Sequence, residues 1–187
     1  MEWQRMLGPA LACFILSCAN EPGPVGLPLP IPLDARAAIG MKLAPVPLDP
    51  RGADVGVVGL GSYFVNGASG CVDCHGCPTY AAGQSPFKGG SGKLDSKHYL
   101  GGGAPFGPGL VAPGLTPDAQ GNPGGLSREK FFAAMREGKD PDDSTRVLQV
   151  MPWAMYRHLT DEDLGAIYEY LRAIPPAKAG SCAAPGE

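Results

Sequence analysis

Positive charge is scarce and scattered in this 187-residue chain: Lys and Arg number 15 against 18 Asp and Glu, leaving a net charge of -3. No basic stripe or Lys/Arg cluster runs along it, so neutralisation of a phosphate backbone is excluded and nucleic acid is not an expected partner. No apolar run reaches bilayer length either. The best stretch, LGPALACFILSC near the N-terminus, is too short to span a membrane. The Gly101 to Gly103 run is followed by nothing resembling a phosphate cradle.

What the chain has in excess is glycine and proline, 28 and 21 residues, about a quarter of the total. Much of it must be loop. A core can still form, since 44% of residues are hydrophobic, and a buried cofactor would supply the apolar surface that a loop-rich chain of this size lacks.

Residues 1–18 read as an export signal, with Arg5 ahead of the apolar run. Ile15-Leu16-Ser17-Cys18 resembles a lipobox, which would leave Cys18 lipidated and the protein tied to the periplasmic side of a bacterial membrane. Ser17-Cys18-Ala19 also fits ordinary signal cleavage, and Glu2, which offsets Arg5, leaves room for a buried apolar helix instead. Residues 19–50 hold eight prolines and no sustained helical period, and read as an extended linker. At ~3.1 Å per residue such a segment reaches about 100 Å as a tether, or else wraps the surface of the domain that follows. That domain is expected over 51–178, with a short tail at 179–187.

Three helices stand out. Val57, Leu60, Gly61 and Phe64 recur at helical spacing and predict a first helix over 54–66, in which Gly61 is the residue best suited to a close backbone approach. Ser127 is an N-cap for a second, which Gly138 stops. Thr160-Asp161-Glu162-Asp163 opens a third with a capping-box pattern, Leu164, Ile167, Tyr168 and Leu171 form its apolar stripe, and Pro175-Pro176 ends it. Between Cys77 and Ser127 the Gly/Pro density predicts loop alone.

The chemistry concentrates in CVDCH. Cys71 and Cys74 on one short turn, with His75 directly after, form the C-x-x-C-H signature of c-type haem attachment. Two thiols so spaced can each form a thioether to the haem, while the adjoining imidazole binds iron. A second axial ligand must come from a remote segment, and the candidates are Met135, Met151, Met155, His98 and His158. Met151 is preferred because Pro152 biases it toward extended geometry on a loop just before the last helix; Met155 is second, and Met135 reads as a core residue. Cys77 and Cys182 remain. In an oxidising compartment they invite a disulfide, though two unpaired thiols fit the sequence equally well. A rival reading makes Cys71, Cys74 and Cys77 ligands of an iron-sulfur or structural metal site, but its fourth ligand would have to be the distant Cys182 and His75 would go unused. The acidic pairs Asp142-Asp143 and Asp161 to Asp163 read as a solvated loop and a helix start, not as acid/base catalysts.

Across about residues 55–176 the chain resembles class I c-type cytochromes, in particular the haem domains of cytochrome subunits of bacterial alcohol and sugar-acid dehydrogenases. The likeness runs through GSYFVNGASGCVDCH, YLGGGAPFG, GLTPDAQGNPGGLSREKFFAAMREGKDPDD and LQVMPWAMYRHLTDEDLGAIYEYLRAIPP, in that order. It implies an all-α cytochrome c fold, about three main helices and long Gly/Pro-rich loops around one covalent haem c held between His75 and Met151. It further implies that Gly61 and Phe64 meet Tyr168 and Leu171, that Trp153 and Tyr156 pack near the haem edge, and that a proline carbonyl, from Pro108 or Pro113, orients His75. The implied role is electron transfer without substrate chemistry, as a single-haem carrier between a dehydrogenase, an oxidase or another cytochrome. The alternative is a cytochrome subunit of a membrane-bound dehydrogenase or oxidase complex. Those subunits usually carry several C-x-x-C-H motifs where this chain has one, and Cys77 has no counterpart in the family pattern.

Overall fold

A computed structural model describes residues 33–182, which fall within one compact unit. The export signal expected at 1–18, with Cys18, lies outside the described residues. Six α-helices and one small hairpin make up the described chain: α1 Leu33–Leu43, α2 Val55–Tyr63, α3 Cys71–His75, β1 Pro105–Gly107, β2 Leu110–Val111, α4 Arg128–Glu137, α5 Trp153–Tyr156 and α6 Asp161–Ala173.

The capped helices form where local chemistry places them. The Asp54 carboxylate accepts hydrogen bonds from the backbone of Gly56 and Val57 at the start of α2. Ser127 caps α4 through Lys130 N, and Gly138, at φ 66°, closes it in the left-handed conformation that glycine adopts without strain. Thr160 and Asp163 form a reciprocal capping box at the start of α6. α2 departs from the expected 54–66 helix: after Tyr63 it widens into a π turn, Phe64–Ala68. There the Asn66 amide donates to Ser62 O and to the Tyr170 hydroxyl of α6, so a tertiary hydrogen bond accompanies the change of pitch.

α2 lies against both α1 and α6, and glycines permit both approaches. A Cβ on Gly61 would sit 2.0 Å from Ala166 O and 2.6 Å from Tyr170 Cβ. The α2/α6 crossing thus places Gly61 on Ala166 and Tyr170 rather than on Tyr168 and Leu171, while Phe64, Tyr168 and Leu171 share the main core. On the other side, a Cβ on Gly40 would lie 1.8 Å from Gly59 O, and Ser62 Oγ donates to Gly40 O at 2.7 Å. Replacing Gly61 with valine is expected to lower stability by about 1–3 kcal/mol or more through overpacking. A urea melt reads this, and an unchanged midpoint would show that the crossing is loose.

Three expectations need correction. The linker read as extended over 19–50 is helical over α1, which packs on α2 through Gly40. Small residues, Ala37 and Gly40 among them, face α2 there, a contact that proline counting does not register. The all-α expectation and the loop expected between Cys77 and Ser127 give way to a mostly helical fold carrying the β1–β2 hairpin and a short 3₁₀ turn, Pro86–Lys88. The hairpin turns at Pro108-Gly109, with Gly109 at φ 73°.

Candidate functional site

Gly70, at φ 62°, turns the chain out of the π turn and starts α3. One helical turn puts Cys71 and Cys74 on a common face, because residues three apart are neighbours on a helix. Both cysteines are free and partly accessible. Burial pushes the Cys71 thiol up to about 12, and Cys74 and Asp73 add to the effect. The Cys74 thiol is also raised, by burial first and then by Asp73. Both sulfurs are therefore neutral thiols at ordinary pH, unlike the activated thiolate of a nucleophilic cysteine.

His75 closes the turn at 9% exposure. Burial holds its pKa below the usual imidazole value, partly offset by a hydrogen bond to the Pro113 carbonyl. The His75 Nδ1 to Pro113 O distance is 2.8 Å. A carbonyl only accepts, so Nδ1 carries the proton and the neutral ring keeps its lone pair on Nε2. Of the two prolines the sequence left open, Pro113 occupies this position.

Cys71, Cys74 and His75 border a cavity of about 320 Å³. Its other walls come from α4 (Phe131, Met135), α6 (Ile167, Leu171), the hairpin (Phe106, Val111) and the segment that carries Met151. The lining is mostly apolar; its polar members beyond the C-x-x-C-H turn are Gln149, Tyr156 and the pair Asp140 and Arg146, which bond to each other. Met151 is half-buried, and its segment is tied to the end of α4: Leu148 N donates to Gly138 O at 2.7 Å, and Trp153 Nε1 donates to Leu148 O at 3.1 Å. The Trp153 ring lies over Gly138, so closely that a Cβ there would meet it at 2.3 Å. Trp153 thus braces the Met151 segment and is not among the lining residues, whereas Tyr156 is, with its hydroxyl donating to Ser69 O at 2.6 Å.

Of the five candidate sixth ligands, the fold brings two to the cavity, Met151 and Met135. Met155 is 73% exposed and outside the lining, the His98 ring is hydrogen-bonded with Asp95, and His158 is exposed away from it. Cys77 is bonded to Cys182, so the pairing is realised and Cys77 cannot serve beside Cys71 and Cys74 in a thiolate cluster. Among the described residues no group of three or more His, Cys, Asp or Glu is placed to hold a metal ion. Asp142 and Asp143 are exposed, as a solvated loop requires.

Sequence reasoning missed the hairpin wall and the Asp140–Arg146 pair. The hairpin had a readable signal, Pro-Gly between Phe106 and Leu110. The pair had none, because its members meet through the turn at 140–146. Also missed was a buried polar knot in which Tyr99 OH donates to Asn66 Oδ1 at 2.6 Å and lies 2.8 Å from Tyr170 OH.

The chain is similar to cytochrome c subunits of dehydrogenases. It is 31% identical over 154 residues to the cytochrome c subunit of the quinone alcohol dehydrogenase of Gluconacetobacter polyoxogenes, covering 78% of this chain and 31% of the relative. It is 30% identical over 118 residues to the corresponding subunit of Gluconobacter oxydans, covering 63% of this chain and 21% of that protein. Against a nicotinate dehydrogenase subunit of Pseudomonas putida the identity is 28% over 148 residues, 76% of this chain and 12% of the relative. The chain thus spans less than a third of the length of these relatives. No family model matches the chain, and no solved structure matches it.

Proposed function

We propose that this chain is a c-type cytochrome domain that binds one haem c through Cys71 and Cys74, with His75 and Met151 as the iron ligands, and passes single electrons between redox partners. The observation that carries the reading is the convergence of two free thiols, an imidazole with its Nε2 lone pair free and a thioether on one apolar cavity.

The donor set fits the group. Cys71 and Cys74 would hold it by thioether bonds, for which neutral thiols are the starting form. His75 would bind iron through Nε2, its ring held in one orientation by Pro113. Met151 would supply the second iron ligand. Phe131, Ile167 and Leu171 would pack apolar surface against the group, and the Asp140–Arg146 pair stands where charge can meet solvent. Once bound, haem c supplies a one-electron ferric/ferrous couple, raised by Met/His ligation relative to other axial pairs. On this reading the domain relays electrons and carries out no substrate chemistry of its own.

A second reading, in which the domain docks as a cytochrome subunit of a membrane-bound dehydrogenase, is favoured by the names of the relatives. The proposed location is the periplasmic side of a bacterial membrane, with lipidation of Cys18 as the anchor. Expression in a host that matures c-type haem tests the central reading. One haem per chain should survive denaturing electrophoresis as a haem-staining band, with sharp reduced α and β absorption bands. A colourless chain, or a broad cluster-like spectrum, would sink it.

A further inference from the structure

His75 is gripped at two points by two loop segments that also grip each other. Its ring donates to Pro113 O, and its own carbonyl accepts from Gly102 N at 2.8 Å. Between these segments, Leu115 N donates to Leu100 O and Gly103 N donates to Ala112 O. They approach so closely that a Cβ on Gly102, at φ 80°, would sit 2.5 Å from Gly114 N and 2.6 Å from the Pro113 carbonyl carbon. Any shift of the 101–103 segment therefore moves the acceptor of the His75 ring.

The C-terminal tail lies on this same segment. Gly180 N donates to Gly102 O at 3.2 Å, Ala177 N donates to Thr116 Oγ1 at 3.3 Å, and Lys178 O stands 2.3 Å from where a Gly101 Cβ would be. A Cβ on Gly180 would fall 1.4 Å from Cys77 O. Among the described residues the tail carries no helix or strand after α6, and the Cys77–Cys182 bond ties Cys182 covalently to the residue two places beyond His75. Cys77 itself is fully buried. Contacts thus run from the tail to the glycine segment, from there to the Pro113 segment, and from Pro113 to the His75 ring.

We propose that the Cys77–Cys182 disulfide makes residues 177–182 a brace that positions His75, so that Cys182 tunes the axial imidazole through the Gly102–Pro113 contact. The proposal rests on the haem reading above. A hydrogen bond from the distal ring nitrogen of a ligating histidine raises the basicity of the nitrogen that binds iron. A more basic imidazole favours ferric iron, so releasing the brace weakens the Pro113 bond and moves the midpoint potential upward. Ring Nδ1–H exchange with solvent should quicken as well, because that proton leaves only when the Pro113 carbonyl moves away.

The experiment compares wild-type holoprotein with Cys182→Ser, which leaves Cys77 as a small buried thiol. The second variant is Gly180→Ala, which keeps both cysteines but cannot seat the tail on Cys77. Expected in both are an upward shift of midpoint potential and His75 Nδ1–H exchange faster by about tenfold in the ferrous protein, as local opening becomes easier. Haem content should be unchanged. A haem-loaded variant pair with wild-type potential and wild-type ring exchange overturns the proposal, even if both variants melt earlier, because earlier melting alone is what a merely structural tail would produce. Absence of covalent haem from the wild type overturns the haem reading instead, so the two failures are separable.

Discussion

Replacing Cys71 and Cys74 together with serine is expected to yield a chain with no haem-staining band that no longer unfolds cooperatively. The reason is the cavity. Emptied space in a core costs about 24 cal/mol per Å³, so 320 Å³ corresponds to roughly 8 kcal/mol, an upper figure because the cavity opens partly to solvent. Domains of this size are stable by only about 5–15 kcal/mol in total. Phe131 and Met135 of α4 and Ile167 and Leu171 of α6 all present apolar surface to that space, and without an occupant they would meet water or collapse. Far-UV circular dichroism in a urea series checks this. Wild type should show one sharp transition, and the double variant a shallow drift at low denaturant. A colourless double variant with the wild-type midpoint would show that the cavity needs no occupant.

What could be read from the sequence was whatever local chemistry decides. The caps at Ser127 and Thr160 and the stop at Gly138 are hydrogen bonds or dihedral needs within a few residues, and the helices they bound lie where the pattern puts them. The C-x-x-C-H turn is similarly self-contained. The Cys77–Cys182 bond could be offered only as one of two outcomes, because counting cysteines does not show which residues, here 105 apart, the fold brings together. Helix α1 and the π turn were illegible for a different reason. α1 packs where Gly40 meets Gly59, and the π turn carries the Asn66 bond to Tyr170, a partner 104 residues away. The Asp140–Arg146 pair was hidden beside Asp142-Asp143, which read as a solvated loop.

Met151→Ala is expected to abolish the low-spin spectrum and to lower the midpoint potential by a sizeable part of the ~0.8 V that axial ligands span, while the chain stays folded. The contrast that makes this decisive is Met135, the other methionine on the cavity. Met135 is 3% exposed in mid-α4, where its backbone position is set by packing against α6 and its thioether is one more apolar group of the wall. Met151 is on an irregular segment held from both sides, by Leu148 on Gly138 and by Trp153 on Leu148. Such a segment can be placed without a helix dictating its direction. Met135→Leu, which nearly conserves volume, should cost under about 1.5 kcal/mol and leave spectrum and potential close to wild type. Met151→Leu should behave like Met151→Ala, because the lost property is the sulfur and not the bulk. If Met135→Leu gave the high-spin spectrum and Met151→Leu kept the low-spin one, the axial assignment would pass to α4, and the Trp153 brace would have to be explained as support for the cavity wall alone.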